Sequence, residues 1–310
     1  MKNKVHSLDE LRDLQALPLD FKVAMSLDRI RDFYEAMQGK VCVSFSGGKD
    51  STVLLHLVRS IYPDVKAVYA RTGMDYPSVV KFVSSFDNVD VVNPKKRFAK
   101  IIKEDGLVFP SKDGSQIIRD ARNGVKYAVM AIEGKDLDGR DSKYKERFKR
   151  LKKYLEVDVK ISDVCCDLLK EIPMREYEKA TGLRPFIGIM AEESSRRTQS
   201  WIKTGCNILD KGKERSKPLS FWTEQDVLQY IVENRIPIAE PYGEVVRVGF
   251  FGKLTTTGEK RTGCMFCAVP LAHGNNRLPY VREHYPKIYD TFIRKLGLGQ
   301  MLDKLGVDYE

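Results

Sequence analysis

The sequence predicts an α/β protein with a doubly wound, mostly parallel sheet, and three observations support this prediction. Between residues 41 and 92, short apolar runs rich in β-branched residues alternate with segments of helical periodicity. The glycine pair Gly47-Gly48 stands where the first apolar run gives way to a helix. The chain has 310 residues, of which 42% are hydrophobic, so it can form a core of ordinary size without disulfides.

The expected elements follow one another in a regular order. Residues 8–38 are expected to be mostly helical, with Ser7 and Glu10 forming a capping box and a second helix beginning at Ser26. Strands are predicted at 41–45, 65–70, 89–92 and 186–190, and helices at 52–58, 77–86, 194–203, 223–234 and from 286 onward. The predicted organisation is a helical N-terminal segment (1–38), an α/β domain that contains the glycine pair (39–215) and a C-terminal helical region with an irregular Cys-x-x-Cys stretch (216–310).

Composition narrows the location and the partners. No apolar run approaches the roughly 20 residues that span a bilayer, and the first residues lead into charged ones, which predicts a cytoplasmic protein without a membrane partner. The net charge of +10 favours an anionic partner, although it also serves solubility and does not separate a nucleotide from a nucleic acid. The basic segment Lys143–Lys153, expected on a helix, is interpreted as a solvated face, with a nucleic-acid or phosphate contact as the alternative.

The strongest local signal is the loop Ser46-Gly47-Gly48-Lys49-Asp50-Ser51. Glycines at a strand-to-helix turn let backbone N–H groups approach phosphate oxygens, and the helix N-terminus adds a favourable dipole. Lys49 supplies a mobile positive charge, and Asp50 is a candidate for positioning Mg²⁺ if ATP is cleaved. The spacing differs from the Walker A pattern, so the usual P-loop fold does not follow, and a plain glycine turn is the alternative.

Four cysteines form a second constellation, the adjacent pair Cys165-Cys166 and the later Cys264-x-x-Cys267. In a reducing compartment, clustered thiols are interpreted as ligands of a metal or a cluster more readily than as disulfides. Spacing alone leaves an iron–sulfur cluster, zinc and free thiols open, although zinc sites usually separate paired ligands by two to four residues. Cys206 lies in a polar, glycine-containing context and is a candidate for a working thiol, with an inert, partly buried thiol as the alternative.

Several segments together resemble a known family, the PP-loop or N-type ATP pyrophosphatases, whose signature is Ser-Gly-Gly-x-Asp-Ser. The nearest likeness is to the branch similar to phosphoadenosine-phosphosulfate (PAPS) reductase. The resemblance covers roughly residues 40 to 270, and the segments that carry it, besides the loop, are Arg71-Thr72-Gly73-Met74-Asp75-Tyr76-Pro77, Ala191-Glu192-Glu193-Ser194-Ser195-Arg196-Arg197 and the Pro218-Leu219-x-x-Trp222-x-x-x-Asp226-Val227 helix start.

This resemblance implies an adenine nucleotide α-hydrolase-like fold that binds ATP or a nucleotide of the adenylyl-sulfate type. Guanidinium groups are well suited to hold its phosphate or sulfate. The residues expected to contact it are Ser44, Ser46, Gly47, Gly48, Lys49, Asp50, Ser51, Thr72, Gly73, Glu193, Arg196 and Arg197. The cysteine pattern resembles the 4Fe–4S ligands of adenylyl-sulfate reductases, which implies that Cys165, Cys166, Cys264 and Cys267 hold such a cluster, with zinc as the alternative.

The sequence differs from those reductases in two features. Their catalytic thiol lies in a C-terminal Glu-Cys-Gly-Leu-His-like tail, whereas no cysteine follows Cys267 in this sequence. The Lys49-Asp50 pair resembles members that cleave ATP between its α and β phosphates. We therefore expect a PAPS reductase-like iron–sulfur enzyme with Lys49, Asp50 and Cys206 as catalytic residues and a sulfur donor or thiol reductant protein as its partner. An ATP-cleaving thiolation enzyme acting on tRNA or DNA and a non-catalytic redox module are the alternatives.

Overall fold

The computed structural model describes residues 6–309 and confirms the α/β fold with a mostly parallel sheet. Its six strands lie in the order β3-β2-β1-β4-β6-β5, and neighbouring strands are parallel except for the antiparallel edge pair β5 and β6. The strands are β1 (Val41–Ser44), β2 (Lys66–Ala70), β3 (Val89–Val92), β4 (Arg184–Ile187), β5 (Asn207–Ile208) and β6 (Arg215–Ser216). A separate antiparallel hairpin consists of β7 (Val245–Val248) and β8 (Lys253–Thr256).

Helices connect the strands and form most of the remaining chain. Those up to β4 are α1 (Leu8–Ala16), α2 (Leu19–Ala36), α3 (Lys49–Ile61), α4 (Pro77–Val83), α5 (Phe98–Glu104), α6 (Lys112–Arg122), α7 (Lys126–Ile132), α8 (Lys145–Lys149), α9 (Val164–Cys166) and α10 (Ile172–Thr181). A π-helical stretch, Asp167–Glu171, joins the last two. Those after β4 are α11 (Ser195–Thr204), α12 (Glu224–Glu233), α13 (Ala268–Leu271), α14 (Leu278–His284), α15 (Pro286–Tyr289) and α16 (Leu298–Lys304).

The N-terminal helices differ from the prediction at one boundary. The Ser7 side chain caps α1 by accepting the Glu10 N–H at 2.9 Å, whereas the Glu10 carboxylate lies 2.9 Å from His6 Nδ1. The predicted helix start at Ser26 is wrong, because α2 begins at Leu19 and runs through this residue. Ser26 is buried, and its hydroxyl donates to the Pro218 carbonyl at 3.0 Å and accepts from Trp222 Nε1 at 2.9 Å. A tertiary hydrogen bond, not a cap, explains this serine.

The chain divides into two compact units, each built from separate stretches of sequence. The sheet unit comprises the described residues up to Arg71 together with Asp75–Asn93 and Met174–Thr262. The cysteine unit comprises Thr72–Met74, Pro94–Pro173 and the described residues from Gly263 onward. This division follows compactness, whereas the three segments predicted above follow sequence order, and that prediction of three segments remains a prediction.

In the core of the sheet unit, α2 packs on the sheet and contacts the start of α12. Phe33 of α2 meets Phe186 of β4 edge-on, with ring centroids 5.2 Å apart. Lys22 of α2 is buried, and its ammonium lies 2.7 Å from Asp226 Oδ2 at the start of α12. Within the part of the chain that the structure describes, no helix is long and apolar enough to cross a membrane.

The basic segment Lys143–Lys153 belongs to the cysteine unit and is less regular than predicted. It contains the five-residue helix α8 and enters a 3₁₀ turn at Lys152–Tyr154, so its cations do not share one long helical face. Its lysines and arginines are exposed or half-buried. Solvation and contact with an anionic partner both remain compatible with this arrangement.

Candidate functional site

The glycine-rich loop lies at the carboxyl end of β1, where the strand order reverses between β2 and β4. Ligands of open α/β sheets bind at such a switch point, outside the carboxyl ends of the strands. Gly47 has φ of +70°, and a Cβ atom there would lie 2.8 Å from side-chain carbons of Val79 and Val83. At Gly188, after β4, a Cβ atom would lie 3.1 Å from the Asp50 carbonyl oxygen. Glycine is required at Gly47 by both the backbone conformation and the space.

Two serines brace the turn from inside. The hydroxyls of Ser46 and Ser51 lie 3.1 Å apart, and the Ser51 hydroxyl donates to the Gly48 carbonyl at 2.8 Å. The Ser46 N–H donates to Ser51 Oγ at 3.2 Å, which joins the start of the loop to the first turn of α3. The loop therefore has a defined shape, with its backbone N–H groups beside the N-terminus of a 13-residue helix.

Lys49 is buried although it carries a charge. Its side chain is 2% exposed, and its ammonium lies 2.9 Å from Asp50 Oδ1 and 3.5 Å from Glu224 Oε1. Burial opposes the charge, but Asp50, Tyr242 and Glu224 together outweigh burial and raise the pKa of Lys49 above its ordinary value. Lys49 is therefore held protonated between two carboxylates at the glycine-rich loop.

Three residues outside the glycine-rich loop lie beside it, and sequence reasoning did not single them out: Tyr242, Thr262 and Glu224. The Lys49 N–H donates to the Tyr242 hydroxyl at 3.2 Å, and this hydroxyl lies 3.0 Å from Thr262 Oγ1. Glu224 stands in a segment that carried the family resemblance, but nothing there marked its carboxylate. Tyr242 and Thr262 flank the β7–β8 hairpin in sequence, and no local pattern connects them to a loop some 200 residues earlier.

The predicted anion-binding segment after β4 contains one buried acid and two arginines of different exposure. Glu193 is 4% exposed, and its Oε2 accepts from Arg197 Nη1 and, at 2.7 Å, from Arg261 Nη1. Its other oxygen accepts the Met190 N–H at 2.9 Å. Burial, and then the neighbouring Arg261, lower the pKa of Arg197, while the Asp50 carboxylate opposes this shift. Glu193 thus orients two guanidinium groups, one of which lies near the loop, whereas Arg196 is exposed.

The remaining predicted nucleotide contacts fall in different places. Ser44 is the last residue of β1 and pairs with Val68 and Ile187 on the neighbouring strands. Thr72 and Gly73 belong to the cysteine unit. The Thr72 hydroxyl is buried, accepts the Met74 N–H at 3.0 Å and lies 3.9 Å from Cys264 Sγ.

Cys206 is half-buried and lies in the sheet unit, between the end of α11 and the start of β5 in the chain. Its sulfur accepts from the Ser220 hydroxyl at 3.3 Å, and its carbonyl accepts the Lys217 N–H at 2.9 Å. Lys217 is 4% exposed, and burial lowers its pKa while the charge of Cys206 opposes that shift. Lys217 is therefore a buried cation that interacts electrostatically with this thiol.

The four clustered cysteines line one cavity of about 30 Å³ within the cysteine unit. Cys165 and Cys166 come from α9, and Cys264 and Cys267 come from the turn before α13, where the Cys267 N–H donates to the Cys264 carbonyl at 3.2 Å. The other lining residues are mostly apolar, namely Phe98, Leu107, Val108, Leu169, Phe266 and Ala268, together with Lys170. The cavity is thus lined by residues that lie far apart in sequence, and their assignment as ligands of a metal or cluster remains a prediction.

The electrostatics of this cavity suit a group that binds thiolates. Burial raises the pKa of Cys165, and the nearby Cys264 and Cys166 raise it further. The pKa of Cys267 rises to about 11, again through burial and then Cys264. A bound metal group offsets such repulsion, because a coordinating thiol is deprotonated outright.

The buried arginine Arg277 is a second feature of this cavity that suits a bound anionic group. It is 3% exposed, its Nη1 lies 3.5 Å from the Cys264 carbonyl, and its charge acts on Cys267. Its Nε has no hydrogen-bond partner, and it forms no ion pair with an acidic side chain among residues 6–309. Four thiols with a buried cation fit an iron–sulfur cluster, whose thiolate-ligated core is anionic. Across those same residues, no His, Cys, Asp and Glu side chains are grouped as a site for a single metal ion.

Fold and loop together define a class, the PP-loop α/β proteins, in which a glycine-rich turn follows the first strand of a mostly parallel sheet. Within this class, the model of the phosphoadenosine phosphosulfate reductase domain matches residues 40–270. The chain belongs to this family.

Individual relatives are distant. An adenosine 5'-phosphosulfate reductase of Geobacillus kaustophilus (strain HTA426) is 23% identical over 270 residues, covering 86% of this chain and 89% of the relative. An uncharacterized protein of Methanocaldococcus jannaschii is 23% identical over 275 residues, covering 86% of this chain but only 51% of the relative. The chain thus spans about half the length of the latter. A solved phosphoadenylyl-sulfate reductase from Candida auris, in a phosphate complex, has a TM-score of 0.40 at 15% identity over 76% of this chain and 90% of that chain.

Proposed function

We propose that this chain is an adenine-nucleotide-binding iron–sulfur enzyme of sulfur metabolism, acting in the cytoplasm on ATP or an adenylylated sulfur compound. The observation that carries the proposal is the convergence of Cys165, Cys166, Cys264 and Cys267 on one cavity in a chain that also has a braced glycine-rich loop. Membership of the phosphoadenosine phosphosulfate reductase family supports a sulfonucleotide as the compound on which the loop and the cysteines act. A sulfur donor or a thiol reductant protein would be its partner.

The loop would hold the nucleotide through backbone N–H groups, the Ser46 hydroxyl and the Lys49 ammonium. Lys49 stays charged because Asp50 and Glu224 lie beside it, and phosphate oxygens can join or replace these partners. Arg197 and Arg261, both held by Glu193, supply further cations for a phosphate or sulfate group.

Cys165, Cys166, Cys264 and Cys267 would hold a 4Fe–4S cluster, with zinc as the alternative. When bound, the cluster supplies electron storage. The protein contributes the rest: apolar walls such as Phe266 exclude water, and Arg277 balances the negative charge of the ligated thiolates.

Anaerobic purification followed by iron and acid-labile sulfide analysis tests this assignment. We expect about four of each per chain, and we expect Cys165→Ser and Cys264→Ser to abolish both. Cys206→Ser is the matched control, because this thiol belongs to the sheet unit and should leave the iron content unchanged. One zinc per chain without sulfide would replace the cluster by the zinc alternative, and no metal under anaerobic conditions would contradict the proposal.

A second candidate function is ATP-dependent transfer of sulfur to a nucleic acid. Asp50 and Glu224 place two carboxylates at the phosphate loop, and Mg²⁺ binds nucleotide phosphates with one or two such groups. The exposed cations Lys149, Arg150 and Lys152 form no ion pair within residues 6–309, which suits a polyanionic acceptor.

Product analysis separates the two candidates. Release of AMP and sulfite from adenylyl sulfate, with two electrons from an added thiol, identifies the reductase. Release of AMP and pyrophosphate from ATP, dependent on Mg²⁺ and on an acceptor, identifies the thiolation enzyme. The Lys66→Ala variant is a control for general lysine effects, since its exposed pair with Asp90 at 3.0 Å lies outside the loop.

Cys206 is the proposed reacting thiol in either candidate, and its neighbour Lys217 allows a sharper test than removal of the sulfur alone. We expect Cys206→Ser to keep iron content and nucleotide affinity while turnover is largely lost. Lys217→Met should lower turnover with iron content unchanged, because it removes the buried ammonium that interacts electrostatically with Cys206. Equal turnover in the parent and in Cys206→Ser would leave this cysteine with a structural role.

A further inference from the structure

The tip of the β7–β8 hairpin exposes two adjacent aromatic rings. Phe250 is 98% and Phe251 95% exposed, and their ring centroids lie 5.4 Å apart with the planes nearly perpendicular. Single exposed apolar residues are ordinary on protein surfaces, but contiguous apolar groups mark interaction sites. The two rings contribute little burial to the fold, so the tip is available to bind something else.

The hairpin holds this tip in a defined conformation. Gly249 and Gly252, with φ of +71° and +60°, bracket the two rings in backbone conformations that favour glycine. Arg247 Nη1 donates to the Gly252 carbonyl at 3.1 Å across the turn. Near the tip, where Leu254 pairs with Arg247, the Gln225 side chain forms two hydrogen bonds of 2.9 Å with the backbone of Leu254, which is buried. The hairpin is therefore fixed to α12.

The base of the hairpin also adjoins the glycine-rich loop. The chain enters the hairpin just after Tyr242 and leaves it just before Thr262, and the hydroxyls of these two residues lie 3.0 Å apart at the loop. The eight residue-to-residue steps from Tyr242 to Phe250 can span at most about 28 Å. A flexible polymer bound at the tip can therefore also reach the nucleotide loop.

The charge around the tip selects among occupants. No acidic residue lies between Glu244 and Glu259, whereas Arg247 and Lys253 flank the rings, and the whole chain carries +10. Two phenylalanine rings can bury roughly 300–500 Å², which is below the ~800 Å² per partner of a stable protein interface. Aromatic side chains beside cations are the usual platform for single-stranded nucleic acid, where bases stack and the cations meet the phosphates.

We propose that the β7–β8 tip binds a single-stranded segment of nucleic acid by stacking Phe250 and Phe251 on its bases. This inference deepens the second candidate function, on which it rests for the chemistry of the acceptor. Arg247 and Lys253 contact phosphates, and the strand extends from the tip toward the nucleotide loop.

Fluorescence anisotropy with the full chain tests the inference, using labelled oligothymidylate and oligouridylate of about 20 nucleotides. We expect binding that weakens as salt rises from about 50 to 200 mM and that is weaker for a duplex of the same length. The two single strands distinguish a DNA from an RNA acceptor, and either one supports the inference.

Paired substitutions separate stacking from general hydrophobic contact. The double variant Phe250→Leu/Phe251→Leu keeps the tip apolar but removes the rings, and we expect affinity to fall about ten- to a hundred-fold. Phe250→Trp/Phe251→Trp should bind at least as tightly as the parent. Phe21→Leu is the matched control, since Phe21 on α2 is 59% exposed but stands alone, and it should bind like the parent.

Three results would overturn the inference. The first is a parent protein that binds neither single strand, and the second is a leucine double variant that binds as tightly as the parent. The third is tip-dependent binding of anionic phospholipid vesicles in place of oligonucleotides.

Nucleotide affinity and iron content, measured on the same preparations, keep this inference apart from the proposed function. We expect the tip variants to retain both properties and Lys49→Ala to retain oligonucleotide binding. Oligonucleotide binding without nucleotide binding would contradict the proposed function alone, and nucleotide binding without oligonucleotide binding would contradict the inference alone.

Discussion

The glycine-rich loop of the sheet unit and the four-cysteine cavity of the cysteine unit differ in whether their buried charged groups have partners inside the protein. At the loop, buried Lys49 lies 2.9 Å from Asp50 Oδ1 and 3.5 Å from Glu224 Oε1, and its N–H donates to Tyr242. At the cysteines, burial and neighbouring thiols raise pKa values, and buried Arg277 has an Nε without a partner among the described residues. The loop lysine thus has acidic partners within the protein, whereas Arg277 beside the cysteines has no acidic partner within residues 6–309.

This difference predicts opposite responses to substitution. Where charges are paired inside the protein, removal of one partner leaves the other buried and uncompensated, which costs stability. Where a charge lacks a partner, its removal relieves a cost.

Both tryptophans, Trp201 and Trp222, lie in the sheet unit, so their fluorescence reports the unfolding of that unit alone.

The largest effect is expected at the buried pair of Lys22 and Asp226 in the sheet unit. Asp226→Ala leaves Lys22, which is 2% exposed, without its carboxylate partner at 2.7 Å. We expect the free energy of unfolding to fall by about 3–5 kcal/mol, measured by urea denaturation with tryptophan fluorescence. Asp28→Ala is the control, because its pair with Arg31 at 2.8 Å is exposed, and it should change stability by less than about 1 kcal/mol. Equal losses in both variants would refute the internal pairing of charges as a source of stability.

The next effect concerns ligand binding at the loop. Lys49→Ala removes a charge-assisted donor worth about 1.5–3 kcal/mol, so nucleotide affinity should fall roughly ten- to a hundred-fold. Isothermal titration calorimetry with ATP and with adenylyl sulfate measures this change, and Lys66→Ala should bind both like the parent. Unchanged affinity for both nucleotides in Lys49→Ala would remove the phosphate-binding role from this loop.

The same contrast shows what the sequence could predict. The strand-loop-helix order around Gly47 is a local pattern, so β1, the loop and α3 were predictable from apolar runs and glycines. The Ser26 boundary failed because its hydroxyl bonds to Trp222, almost 200 residues later. Tyr242 and Thr262 reach the loop only through the tertiary fold, and no spacing rule marks such a contact.

The cysteine cavity could be predicted only in part. The Cys264-x-x-Cys267 spacing is a local signal, and the resemblance connected it with Cys165-Cys166. Arg277 carried no signal, since an arginine after a glycine and two asparagines is typical of an exposed loop, and its burial follows from packing around the cysteine turn. Burial of a charge is the property that sequence patterns convey least.

Within any one pH unit, a smaller effect is expected from Cys42, a thiol in the core of the sheet unit. Burial, then the charges of Glu178 and Asp90, raise its pKa from 9.0 to about 12. A raised thiol pKa means that the folded state retains the proton while the unfolded chain loses it, so stability present below pH 9 is lost as the pH rises toward 12. We expect a loss of about 1.4 kcal/mol per pH unit in this window.

Denaturation with tryptophan fluorescence at several alkaline pH values measures this loss for the parent and for Cys42→Val, which keeps an apolar β-branched side chain in the strand. The difference between the two slopes isolates this one thiol from the other groups that titrate in the range. Parallel slopes would show that Cys42 ionises without cost and that its burial is not as tight as the structure has it.

The smallest effect, and the one of opposite sign, is expected at Arg277. Arg277→Met replaces a buried guanidinium that has no acidic partner within residues 6–309 by an apolar side chain of similar length. In iron-free protein we expect the cysteine unit to become more stable by about 1 kcal/mol, because an uncompensated charge leaves the interior. Hydrogen exchange of peptides covering α13 and α14 measures this locally, since this unit contains no tryptophan.

With the cluster bound, the sign should reverse, because Arg277 then balances an anionic group and its loss should speed iron release to a chelator. Arg282→Met, at an exposed position of α14, is the control and should change neither measurement. A variant that is destabilised in both forms would show that Arg277 acts through packing alone, and the contrast between a self-paired loop and a ligand-dependent cavity would not hold.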